Sequence, residues 1–191
     1  PPMQPGFVAS IGMLHGQAHS DQMNRLPHLN MMIALLRDGF VTESQGGEVF
    51  LRDDGIPGIN YEINDYLREG IVRAWRTMAE IQFAAGAQSV RPVHSQGRYE
   101  KSLQATLKQI DGLSLDINKM RVGSAHVMGG CGMGEDPRSS VVDSMGKFHH
   151  LESLHIMDGS TFPTSIGANP QLSIYGMVAK QATALAAKLK G

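Results

Sequence analysis

Cysteine is almost absent from the 191 residues: Cys131 stands alone, so no internal disulfide and no multi-cysteine metal site can form. Charge of one sign is lacking too. Seventeen Lys and Arg against 18 Asp and Glu leave a formal net charge of −1, which provides no electrostatic footprint for nucleic acid. No uninterrupted apolar run approaches the ~20 residues needed to cross a bilayer. The opening Pro1-Pro-Met-Gln-Pro5 lacks the charged-then-apolar pattern of a signal peptide. A G-x-G-x-x-G fingerprint after a strand-like run is also missing, and with it the usual mark of a dinucleotide-binding βαβ unit. What is left is a globular piece long enough to bury one core.

Twelve methionines, several in apolar runs such as Asn30-Met-Met-Ile-Ala-Leu-Leu36, read most simply as core filler. Cys131 reads as a small buried residue in a glycine-rich turn, with a reactive thiol as the alternative. Residues 1–25 are rich in Gly, Pro and single histidines without a clear period, and read as a connecting segment. Leu29–Leu36, Gly47–Leu51 and Ile56–Ile63 are strand-length runs separated by turn residues, so three or more antiparallel strands are expected. From Asn64, a good N-cap, Leu67, Ile71, Trp75, Met78 and Ile81 repeat at helical spacing up to Gly86, giving a long helix to cover the sheet. Ser89–Val93 suggests a further strand, and Glu100–Ile110 a second helix. This is an α+β unit: an antiparallel sheet covered by helices.

After Arg121 the composition shifts to Gly, Met and His. The strand-like Leu154–Met157 follows, and then a last helix whose start is signalled by Asn169 as N-cap and Pro170 at the first helical position. In this region the chain reads His126-x-x-Gly129-x-Cys131-x-Met133-Gly134, then Asp136-Pro137, Val141-Val-Asp143, Asp158-Gly-Ser160, Phe162-Pro163 and Asn169-Pro170. In content and order these segments resemble the C-terminal part of the glucose-methanol-choline (GMC) family of flavin-dependent oxidoreductases. The resemblance is firm over about the last seventy residues and looser before them. Two departures are Gly130 and Gly132, where the family commonly has Thr and Arg.

The resemblance implies a fold and a chemistry. Residues 26–122 would be the substrate-binding domain, and 123–191 the catalytic loop with the strand and helix that complete an FAD-binding domain. The N-terminal dinucleotide-binding domain is absent, so the chain reads as a fragment that should not turn over alone, and its compartment is left open. FAD is the implied cofactor and a small-molecule alcohol the implied substrate. His126 would be the base for the alcohol proton and Asn169 would orient its oxygen. Asp158, Gly159, Asn169, Pro170 and Gln171 would line the flavin, with the N-H groups at the last helix start favouring the negative charge of its reduced form. Sugar, sterol, aromatic and aliphatic alcohols all remain open, as does the electron acceptor.

No metal site is expected. His149 and His150 are adjacent, and would face opposite sides of a strand; His155 is at helix spacing with neither. His15 and His19 have i, i+4 spacing, but Gly12 and Gly16 weaken a helix there and no glutamate lies between them. A reading from another class stands beside the enzyme: a self-contained ligand-binding or interaction module without flavin. In the fragment reading, the Leu154–Met157 strand and the last helix lack their partners in the missing FAD-binding half, which implies exposed apolar surface and self-association.

Overall fold

The computed structural model describes residues 4–190. Its elements are α1 (Pro5–Ile11), α2 (Gly16–Asn24), a 3₁₀ turn (Leu26–His28), β1 (Glu48–Leu51), β2 (Pro57–Asn60), α3 (Asp65–Ala84), α4 (Leu103–Asp111), a second 3₁₀ turn (Gly159–Thr161) and α5 (Gln171–Leu189). They fall into two compact units, one from Pro1–Leu36 with Ile63–Gly123, the other from Arg37–Glu62 with Ser124–Gly191.

The first unit is built on α3. Asn64 caps it by accepting from the Leu67 N–H at 3.0 Å, and the left-handed Gly86 (φ +89°) follows its end. Its apolar repeat buries Leu67, Ile71 and Ala79, and Leu67 and Ile71 join Ile63 and Met120 in the core, with Trp75 and Leu115 packed against it. Helix α4, capped by the Ser102 hydroxyl, lies on α3 and buries Thr106 and Ile110. His94 is fully buried beside Trp75. Its Nδ1 accepts from the Gln96 N–H at 3.0 Å, so Nε2 carries the hydrogen and donates to the Ser114 carbonyl at 2.9 Å. Arg91 has no acidic partner among the described residues; it donates to the carbonyls of Gly12 (2.8 Å) and Gly97 (3.0 Å). Burial lowers its pKa, and these bonds tie the α1–α2 pair to the rest of the unit.

The second unit carries an antiparallel hairpin in which Glu48 pairs with Asn60 and Leu51 with Pro57. Its turn is closed by Asp54, which accepts from the Ile56 N–H, and by Gly55 at φ +77°. Among the described residues this two-stranded sheet is the only one, fewer strands than the sequence pattern leads one to expect. Leu29–Leu36 stays irregular because no strand lies alongside to complete its backbone bonds; Leu36 instead packs on Gly70. Ser89–Val93 and Leu154–Met157 join neighbours through single bridges only, Val90 to Glu100 and Lys147 to His155. Residues 5–24 hold two short helices where no period was legible, the first opening on Pro5 in its initial turn. α5 begins at Gln171, with Pro170 rather than Asn169 as its cap residue and no side-chain cap bond. No described helix is long and apolar enough to cross a membrane.

Replacing His94 by Ala would leave the Gln96 N–H and the Ser114 carbonyl unpaired beside a void. We expect a loss of about 2–4 kcal/mol, read as a lower urea midpoint; an unchanged midpoint would contradict this account of the core.

Candidate active site

The segment that bears His126 has almost no regular structure, but from Gly129 onward its backbone is held by hydrogen bonds. Gly129 and Gly130 take left-handed conformations (φ +85° and +101°), open to glycine and strained for other residues. These turns aim the next amides along the Asp158 segment. The N–H groups of Gly129, Cys131 and Met133 donate to the carbonyls of Gly159, Ser160 and Thr161 at 3.3, 2.9 and 2.8 Å. On its other side the loop is held by Val141, whose N–H donates to the Gly132 carbonyl at 2.8 Å, and by Gly134, which donates to Val142 at 2.9 Å. Gly130 thus sits where a residue with a side chain would be strained.

Asp158 folds its own segment. Its carboxylate accepts from the N–H (2.8 Å) and hydroxyl (2.5 Å) of Ser160, an Asx-type cap that starts the Gly159–Thr161 turn. Thr161 is fully buried, its hydroxyl donating to the Asp158 carbonyl at 2.9 Å and approaching the Met177 sulfur of α5 at 3.7 Å. Gly159 is the meeting point. A Cβ there would fall 3.1 Å from the Val127 carbonyl and 3.1 Å from Cδ1 of Ile174, in the first turn of α5. The residue after His126, the Asp158 turn and the start of the helix that follows Asn169 therefore converge on one glycine.

His126 is half-buried, and its ring makes no hydrogen bond to another described residue. Asn169 is exposed and Pro170 buried. The Gln171 side chain is engaged by the Tyr175 hydroxyl at 2.5 Å, so what Gln171 presents at the helix start is its backbone. Cys131 is partly buried in the glycine-rich turn.

Three further residues support the site, of which Asp143 already stood out in the Val141-Val-Asp143 segment. Gln181, fully buried in α5, donates to the Ser144 carbonyl at 3.3 Å. Asp143 accepts from the N–H groups of Met145 (2.8 Å) and Lys147 (2.9 Å), closing the turn next to it. His149 is half-buried and lies 2.9 Å from the Ser140 hydroxyl and 3.1 Å from the Gly134 carbonyl. The serine hydroxyl donates onward to the Asp136 carbonyl at 2.7 Å, so the pair braces the Asp-Pro turn. Arg138 draws the Asp136 carboxyl below the ordinary carboxylate range by side-chain and backbone hydrogen bonds.

A family model for GMC oxidoreductases matches residues 42–178, and the chain belongs to this family, over its C-terminal region. Among relatives, a long-chain-alcohol oxidase of Arabidopsis thaliana is 28% identical over 182 residues, 91% of this chain and 24% of its own length. A 6'''-hydroxyparomomycin C oxidase of Streptomyces lividus is 40% identical over 191 residues, covering 98% of this chain and 31% of its own. A cholesterol oxidase of Acinetobacter baumannii is 32% identical over 65 residues, 34% of this chain and 12% of its own. The chain thus spans about a quarter to a third of the length of the first two.

Two glycines of this region should respond oppositely. Gly159→Val would push the His126 loop away from α5 and cost about 1–3 kcal/mol. Gly176→Ala, inside α5 with nothing within 4 Å of the new methyl, should stabilise by about 0.5–1 kcal/mol. Denaturant midpoints check both, and equal effects would contradict the convergence on Gly159.

Proposed function

We propose that this chain supplies the alcohol-activating part of an FAD-dependent alcohol oxidoreductase. The convergence of the His126 loop, the Asp158 turn and the α5 start on Gly159 is the observation that carries this reading. The residues present suit a flavin. The opening residues of α5, Gln171–Ser173, are exposed, and the first N–H groups of any helix have no acceptor within it, so they form a donor set for a group that gains negative charge. Asp158 shapes the Gly159–Ser160 backbone that would lie along the cofactor, and Asn169 and Pro170 set the position of the helix start. When bound, FAD provides the acceptor for the hydride of the alcohol carbon.

The chain's own part is proton and oxygen management. A hydroxyl that loses hydride from its carbon must also lose its proton, and a neutral imidazole accepts that proton near neutral pH without carrying a permanent charge. His126 takes it on a ring nitrogen. The Asn169 amide donates a hydrogen bond to the alcohol oxygen and fixes which hydrogen of the carbon faces the flavin. Hydrophobic or polyhydroxylated alcohols would be chosen by walls outside this loop. The relatives named for a long-chain alcohol, hydroxyparomomycin and cholesterol support an alcohol substrate in general rather than one of them. The dinucleotide-binding half would come from residues outside this chain, and that half, or failing it a second copy, would cover the exposed Leu172, Tyr175 and Leu189 of α5.

In a flavin-loaded protein containing this chain, His126→Ala is expected to slow anaerobic flavin reduction by alcohol by roughly 10²–10⁴ while leaving flavin content unchanged. Wild-type reduction kinetics in that variant would take the role of base away from His126.

A further inference from the structure

The loop that delivers Asn169, residues 163–169, is gripped by a segment far away in sequence. Gly39 (φ +80°) accepts the Thr164 hydroxyl on its carbonyl at 2.8 Å, and a Cβ on Gly39 would come within 2.5 Å of the same oxygen. Three residues on, Gly167 (φ +69°) packs so closely that a Cβ would sit 3.0 Å from the Phe40 ring and 3.5 Å from the Arg37 guanidinium. Each segment thus offers a left-handed glycine to the other, a backbone conformation strained for any other residue.

The grip depends on a carboxylate. Asp38 accepts the Gly39 N–H at 2.8 Å and the hydroxyls of Ser44 and Tyr61, using both oxygens. Ser44 is buried, and its carbonyl accepts the Gly39 N–H at 2.8 Å, closing the turn that sets the Gly39 backbone. Burial first, and then the bond to Asp38, push the Tyr61 phenol up to about 12. It stays protonated, and a donor, across the neutral range.

We propose that Asp38, with Tyr61 and Ser44, is a positioning residue for the reaction: it fixes the Gly39 turn, the turn fixes Thr164 and Gly167, and the loop so held presents the Asn169 amide to the alcohol. The proposal rests on the role given to Asn169 above. Thr164 and Tyr61 touch neither substrate nor flavin in this account, and their effect runs through Asn169.

The test uses Thr164→Val, Thr164→Ser and Tyr61→Phe in the flavin-loaded protein, each also combined with Asn169→Ala. Thr164→Val and Tyr61→Phe are expected to slow alcohol-dependent flavin reduction by about 10- to 100-fold, Thr164→Ser to restore the rate, and neither loss to appear once Asn169 is Ala. Peptides covering 163–170 should exchange amide hydrogen faster in Thr164→Val and at the wild-type rate in Thr164→Ser. Losses that simply add to that of Asn169→Ala, or unchanged exchange in Thr164→Val, would overturn the proposal. An Asn169→Ala protein with wild-type kinetics would instead remove the role of Asn169, and the exchange measurement would still decide whether the loop is held from Asp38.

Discussion

Backbone hydrogen bonding, more than side-chain packing, holds the unit that bears the candidate site. Among the described residues of that unit, Val142 and Pro170 are the apolar side chains that are buried, alongside the polar Ser44, Thr161 and Gln181. The apolar cluster of Ile63, Leu67, Ile71 and Met120 belongs to the other unit. Where little oil is available, irregular chain is ordered by giving each buried amide a partner. The bonds from Gly129, Cys131 and Met133 to successive carbonyls from Gly159 to Thr161 do this without forming a regular strand. They also pin Gly129 to Met133, just after His126, to the turn beside α5, although this segment is mostly glycine and methionine.

The same arrangement explains what was legible beforehand. Asn64 and the 3.6-residue repeat after it gave α3, because capping and amphipathicity are local and the helix packs as they direct. The candidate residues His126, Asp158 and Asn169 stood out for another reason: they lie in an ordered series of turn glycines, an Asp-Gly-Ser turn and an Asn-Pro pair, and such turns leave a mark in sequence order. Strands were not. Leu29–Leu36 has the composition of a strand and no partner to pair with, and pairing is not a local property. Contacts such as Gly39 with Thr164, 125 positions apart, leave no periodic trace at all. An Asp-Gly pair looks like any other turn until its partner is seen.

Helix α5 shows both regimes at once. Its repeat of Leu, Ala and Val was readable as a helix, but the repeat does not say what it packs on. In the structure its one fully buried side chain is the polar Gln181, while Leu172 is 83% exposed and Leu189 77% exposed. The helix thus leaves much of its apolar surface open to solvent. Its N-terminal end, in contrast, is tightly placed by Ile174 against Gly159. Ile174 is thus the contact that holds the helix start, while Leu172 beside it and Leu189 at the far end stay exposed, in a chain that matches about a quarter to a third of the length of its longer relatives.

The most direct test of the account is the visible spectrum of a relative-length protein containing this chain, recorded without oxygen before and after a panel of alcohols is added. A bound oxidised flavin whose absorbance is lost on adding at least one alcohol is the expected result. A protein that binds flavin firmly but keeps it oxidised with every class of alcohol would contradict the assignment of alcohol chemistry to the His126 loop and the α5 start.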